Sequence, residues 1–327
     1  MKSLVEAFPT HLKEALTIGQ SATFTNTDKQ FENIVISGLG GSGIGGKIVS
    51  QLVADDCCLP IICTNDYVLP AFVGPKTLVI ISSYSGETEE TVAAYNEAKA
   101  KGATISCITS GGRIAAAAAA DGYNCIIIPG GKPPRSMFGY SSVQVLFTLK
   151  AYGIYNGNFE AEISNSINLI HAEIANIRTE TKSIAEKIVS RIPVLYSEAS
   201  YEGVAIRWRQ QINENSKMLC WHHVFPEMNH NELVGWGLGN DSYGALFLDS
   251  GDWHERNVTR LQFSVDVIKS KTKNVFVLKA KGENVIQPYE FAVDVWFQKT
   301  WWNNLLFLVK DMLDKYEYFL QMRELIE

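Results

Sequence analysis

The sequence predicts an α/β protein of two doubly wound, mostly parallel sheets, each with flanking helices. Three observations carry this. Between residues 33 and 153, short apolar runs alternate with helix-like segments, the rhythm of strand–helix–strand crossovers. The runs lack the two-residue alternation of a half-exposed strand, so they read as strands covered on both faces. After residue 190 the same rhythm returns, which predicts a second unit of similar plan.

The elements follow in order. The N-terminal stretch "MKSLVEAFPTHLKEAL" has no long apolar centre and carries Glu6 and Glu14, so it reads as an amphipathic helix rather than a signal peptide. Strands are expected at "NIVIS" (33–37), "LPIICTN" (59–65), "TLVIIS" (77–82), "ATISCIT" (103–109) and "NCIII" (124–128). Helices are expected at 44–54, 88–101, 113–121 and 141–153, the alanine run 115–120 being helix-favouring. A long helix over about 159–190 links the halves. A strand at 193–197, a small-residue loop and a helix running into "NENSK" come next, then strands at 243–250 and 273–282. The C-terminus, "WWNNLLFLVKDMLDKYEYFLQMRELIE", reads as helix with one strongly apolar side. With 327 residues the chain divides as two domains, 1–155 and 156–327.

A net charge of −6 with dispersed Lys and Arg argues against nucleic acid and anionic membrane as partners. No apolar run reaches the ~18–20 residues that cross a bilayer. The six cysteines lie largely in apolar, strand-like runs and read as reduced thiols of a cytoplasmic protein, and the Cys57–Cys58 pair fits no zinc spacing.

Two loops stand out. "SGLGGSGIGGK" (37–47) follows the first strand, and its glycines permit close approach of a ligand to the backbone. A helix starting near Ile44 aims free N–H groups and a positive dipole end at the same place. The spacing also fits G-x-G-x-x-G twice, with Asp66 where a ribose-binding acid would sit, so a dinucleotide-dependent oxidoreductase competes. The second loop, "SSYSGETEET", follows the third strand, with Thr88 at a helix start and Glu89 and Glu90 in its first turn. Two such loops at strand carboxyl ends can converge on one small anion. Three phosphoryl oxygens call for this second hydroxyl cluster; a pyrophosphate over one glycine loop does not.

In order, "GLGGSGIGG", "SSYSGETEET", "GGKPPRSMFGY" (130–140), "NENSK" (213–217) and "NHNE" (229–232) resemble the bifunctional phosphoglucose/phosphomannose isomerases of the sugar-isomerase (SIS) superfamily. The resemblance covers roughly 33–235. It implies two flavodoxin-like SIS subdomains, a homodimer and a sugar-phosphate substrate without cofactor or metal. It implies that Gly40, Gly41, Ser42, Ser83, Ser85 and Thr88 hold the phosphate, that Arg135 stabilises enediolate charge, that Glu214 is the base and that His230 opens the ring. A C-terminal lysine also serves the family; Lys310 and Lys315 are both candidates, and the usual family ending is not recognisable here.

The residue chemistry agrees. Pro133 and Pro134 restrict the loop that aims Arg135, whose rigid charged fork suits an oxyanion. Glu214 works best as a base in a low-polarity pocket. His230 sits in a loop, and its spacing from His222 and His223 matches no metal-ligand set. Lys47 and Lys132 read as solvated or phosphate-adjacent, and Trp221, Trp236, Trp301 and Trp302 as fillers of domain or dimer interfaces. A sugar-phosphate sensor without catalysis is the main alternative function; it would keep the serines without needing Glu214 or His230.

Overall fold

The structure, a computed structural model, describes residues 2–280. Two helices open it, α1 (Lys2–Glu6) and α2 (Phe8–Ser21), where the sequence predicts one. Pro9 in the first turn of α2 has no N–H to continue a ladder from α1, so the helix restarts there.

The first sheet then forms from β1 (Asn33–Ser37), α3 (Gly40–Leu52), β2 (Ile61–Thr64), β3 (Thr77–Ser83), α4 (Glu89–Ala100), β4 (Thr104–Thr109), α5 (Gly112–Asp121) and β5 (Asn124–Ile127). A 3-10 turn, Pro134–Ser136, leads into α6 (Phe138–Ala151). The strands are parallel in the order β2-β1-β3-β4-β5, with Val35 beside Val79 and Ile80 beside Ser106. Strands β3 and β4 are buried along their whole length, as their unbroken apolar runs predict, while β2 lies at the edge and leaves Ile62 exposed. Alternation persists beneath that uniformity. Ile34, Ile36, Leu78 and Ile80 pack toward α2 and α6, and Val35, Val79, Ile81 and Ile105 toward α4 and α5.

The long helix α7 (Phe159–Ile188) follows. The second sheet comprises β6 (Ile192–Glu198), α8 (Glu202–Ser216), β7 (Trp221–Phe225), α9 (Glu232–Gly235), β8 (Tyr243–Asp249), α10 (Glu255–Lys269) and β9 (Val275–Lys279). Its parallel order, β7-β6-β8-β9, repeats the first four positions of the first sheet. This is a flavodoxin-like order, not the 3-2-1-4 order of dinucleotide folds. In each sheet the chain changes direction of travel between its first and third strands, which opens a crevice at their carboxyl ends.

Several boundaries differ from expectation. Helix α3 begins at Gly40 rather than 44, so the glycines form its first turn. Helix α6 begins at Phe138 instead of 141, directly after the 3-10 turn. Strand β7 and helix α10 are additions to the sequence reading. In "WHHVF" two histidines interrupt the apolar run, and β7 is an edge strand that needs little apolar content. Helix α10 buries only a narrow stripe, including Leu261, Val265 and Ile268. Trp236 fills the second sheet's own core against Tyr243 rather than an interface, and Trp221 is half exposed. The predicted C-terminal helix, with Trp301, Trp302, Lys310 and Lys315, lies outside the described residues.

The two sheets meet where α3 crosses α8. A Cβ at Gly203 would stand 2.8 Å from Ile48 Cγ1 and 3.2 Å from its Cα atom, so any larger residue crowds the approach. Gly203 N–H donates to Gln51 Oε1 (2.7 Å), Gln51 Nε2 donates to the Ala199 carbonyl (2.6 Å), and Lys47 pairs with Glu202 at 2.9 Å. Lys47 is therefore a seam residue rather than a solvated one. The Arg207 guanidinium lies 5.1 Å over the Phe138 ring. Among the described residues no helix is long and apolar enough to cross a membrane.

Helix α2 braces the 3-10 turn. His11, 8% exposed, lies beneath the turn with its ring 5.2 Å from that of Tyr140, tilted by 36°. Burial pushes its imidazole below the ordinary value near 6.5, with Glu14 opposing.

Two outcomes are expected. Gly203→Ala should overpack the seam and cost about 1–3 kcal/mol, read as a lower urea midpoint; an unchanged midpoint would mean the helices separate freely. His11 is neutral in the fold and protonates more readily when unfolded, so its contribution is complete above about pH 6.5 and is lost as pH falls below that. His222, also depressed by burial, acts in the same direction. His11→Gln, which stays polar but does not titrate, should therefore show a smaller loss of Tm between pH 7 and pH 5 than the parent; an equal loss refutes the assignment.

Candidate functional site

The crevice between β1 and β3 is lined by three loops. The first is the opening turn of α3. Gly40 has φ +53° and nothing within 4 Å of where a side chain would stand. At Gly43 a Cβ would meet the Gly38 carbonyl oxygen at 2.2 Å, so the tight turn requires glycine. A helix start leaves its first N–H groups without helical acceptors, here at Gly40 and Gly41, with the positive dipole end behind them.

The second loop follows β3. Ser83 Oγ, buried, donates to Thr88 Oγ1 at 3.2 Å, and exposed Ser85 accepts from Glu87 N–H at 3.2 Å. Thr88 stands at the N-cap of α4, as its sequence position predicts, yet its hydroxyl makes no capping bond. The first turn of α4 thus keeps open donors beside the hydroxyls. Glu87 turns away to Arg113, whose hydrogen bonds hold its carboxyl below the usual carboxylate range.

These loops are tied to each other. Tyr84 N–H donates to Ser42 Oγ at 3.0 Å. Ser42 accepts there, which leaves its own proton to donate to an anion. The Tyr84 carbonyl accepts from Ser110 N–H (2.9 Å) and Oγ (2.6 Å). The Tyr84 phenol accepts from Lys132 N–H at 3.0 Å, which fastens the third loop. That loop carries the 3-10 turn against α3: a Cβ at Gly41 would stand 3.0 Å from the Pro134 carbonyl and 3.7 Å from Arg135 Cα.

Arg135 reaches across the seam to the last turn of α8. Its Nε donates to Asn215 Oδ1 at 2.7 Å, and its Nη1 lies 3.9 Å from Glu214 Oε2. Asn215 Nδ2 donates to Gln211 Oε1 at 3.0 Å, one helical turn back. Arg207 Nη2 donates to the Arg135 carbonyl, and Lys217 Nζ to the Glu214 carbonyl. The site therefore presents backbone donors and hydroxyls for a dianion, with a fixed cation and a carboxylate beside it.

Most candidate residues thus converge. Ser42 is tied to the loop after β3 through Tyr84, Ser83 is joined to Thr88, Gly40, Gly41 and Ser85 lie on the same two loops, and Arg135 and Glu214 meet across the seam. One expectation is corrected: Glu214 is 45% exposed, so the described residues do not enclose it in a low-polarity pocket. His230 ends the 3-10 turn Glu227–His230 and is exposed; among the described residues no hydrogen bond or ion pair joins it to Arg135 or Glu214. His222 turns toward Glu202, and His223 accepts from Val224 N–H, so the three histidines serve different neighbours. Asp66 accepts from Tyr67 N–H at 2.7 Å, a local turn contact. Lys310 and Lys315 lie outside the described residues. The sequence reading missed Tyr84, Arg207, Gln211 and Asn215; for the last two, their four-residue spacing on one helix was the available signal.

Comparison with known proteins follows the same lines. Residues 69–153 match the SIS domain, and residues 177–290 match the family described as bacterial phospho-glucose isomerase C-terminal SIS domain. A bifunctional phosphoglucose/phosphomannose isomerase of Caldicellulosiruptor bescii is 37% identical over 278 residues, 82% of each chain. One of Thermoplasma acidophilum is 35% identical over 260 residues, 78% of each chain. Among solved structures, the C-terminal domain of glucosamine-fructose-6-phosphate aminotransferase from Francisella tularensis superposes with a TM-score of 0.70 at 14% identity, covering 90% of this chain and 93% of that one, a likeness of fold. With three joined loops at the switch point, two SIS-type subdomains and relatives matched along most of their length, the chain belongs to the bifunctional phosphoglucose/phosphomannose isomerase family.

Proposed function

We propose that this protein interconverts glucose 6-phosphate and mannose 6-phosphate with fructose 6-phosphate. The observation that carries the reading is the placement of Arg135 and Glu214, 3.9 Å apart, beside a crevice whose loops offer donors to a dianion. Family membership supports the same reaction.

The proposed roles combine the site's geometry with those that family resemblance implies. The N–H groups of Gly40 and Gly41 and the hydroxyls of Ser42, Ser83, Ser85 and Thr88 hold the phosphate. Binding energy at that remote group positions the carbons that react. Glu214 takes the proton from C2 of the open aldose and returns it to C1 of the enediolate, and the reverse reaction retraces the path. Arg135 stands by the oxygens on which negative charge develops. His230 serves ring opening, with Lys310 or Lys315 as the family's C-terminal lysine. One carbon is oxidised as its neighbour is reduced, so the net chemistry is proton transfer and calls on no cofactor. In this reading the halves 1–155 and 156–327 are the two SIS units of a cytoplasmic homodimer that acts in glycolysis and gluconeogenesis. Nothing observed favours the non-catalytic sensor.

A coupled assay with the purified protein should show turnover of both aldose phosphates. Glu214→Gln should lower kcat by about 10²–10⁴-fold while fructose 6-phosphate binding, followed by calorimetry, stays near the parent's. Absence of turnover with either aldose would remove the reaction; loss of binding with chemistry retained would remove the role of Glu214.

A further inference from the structure

The guanidinium of Arg135 is aimed from the other half of the molecule. Its Nε, the donor nearest the stem, is used by Asn215 Oδ1 at 2.7 Å, and this single bond sets the plane of the fork. The Nη edge is thereby turned toward Glu214, with Nη1 3.9 Å from its carboxylate. Asn215 is 8% exposed and its own orientation is fixed, because its Nδ2 donates to Gln211 Oε1, which is equally buried. An amide whose nitrogen faces Gln211 must present its oxygen to Arg135. The backbone of Arg135 is held from the same helix by Arg207.

We propose that Asn215, with Gln211 behind it, is the positioning residue for Arg135, acting through the guanidinium and not on the substrate. This rests on the isomerase reading. The residue type matters. A carboxylate at 215 would accept the same bond but would neutralise the cation that must meet developing negative charge; an amide fixes direction and leaves the charge whole. Because Glu214 and Asn215 are adjacent on the last turn of α8, one helix end places both the carboxylate and the brace of its partner cation. The reactive pair is therefore registered to α8, even though Arg135 belongs to the first sheet's side of the seam.

A double-mutant cycle tests this on the full chain. Asn215→Ala should lower kcat by about 10- to 100-fold, with KM held within about threefold. Asn215→Asp should also lower kcat, although the acceptor is kept. In an Arg135→Ala background, Asn215→Ala should cost nothing further. Gln211→Ala, a gentler change, should show the same dependence on Arg135 and covers the case in which Asn215→Ala folds poorly. Losses that multiply in the Arg135→Ala background, or that fall on KM alone, would overturn the proposal and assign Asn215 a structural role. Should the parent turn over neither aldose phosphate, the isomerase reading fails by itself. The same cycle is then read by calorimetry with 5-phosphoarabinonate, whose carboxylate stands in for the enediolate: weakening only when Arg135 is present supports the brace, and equal weakening in both backgrounds overturns it.

Discussion

The hydrogen bond from Tyr84 N–H to Ser42 Oγ is the contact on which the site depends. It joins the loop after β1 to the loop after β3, and these are the strands between which a doubly wound sheet opens its crevice. Without that bond each loop would be an ordinary helix start with polar neighbours. With it, two helix N-termini and a set of hydroxyls share one small volume, where their partial charges add. Tyr84 extends the arrangement, since its phenol receives Lys132 N–H and so draws in the turn that carries Arg135.

A second constraint is the close approach of α3 to α8. Gly203 lets the two helices touch, and Gln51 bridges them through both ends of its amide. This registers the second sheet against the first. Arg135 rises from the first side and Glu214 from the second, so the pair exists only if the seam holds. The placement of the Glu214 carboxylate beside Arg135 is then a property of the packing between the two sheets, not of either loop.

The N-terminal helix α2 adds support from behind. His11 is buried beneath the 3-10 turn, and burial favours its neutral imidazole. A residue far from the crevice in sequence thus buttresses the arginine loop, together with the packing of Leu12 and Leu16 into the core under β1 and β3.

Much of this was legible in the chain. The central strands β1, β3 and β4 read directly as unalternating apolar runs, because a parallel strand covered on both faces has no polar side to show. The glycine and hydroxyl loops were legible because a turn as tight as that at Gly43 demands glycine, and clustered hydroxyls at a helix start are conspicuous in sequence. Strand β7 and helix α10 were not, since an edge strand with His222 and His223 and a helix with a narrow buried stripe obey weaker patterns. The start of α3 was set four residues late because glycines argue against helix locally, while the turn tightened against Gly38 holds them in it. Sequence alone also marked Arg135 and Glu214, by motif. That they face each other, that Asn215 and Gln211 steer the arginine, and that Tyr84 rather than its flanking serines ties the loops were decided only by tertiary structure. Apart from the Asn215–Gln211 pair one turn apart on α8, these contacts span dozens of residues or a helix seam, and no local propensity encodes a distance between elements that meet only after both sheets have formed.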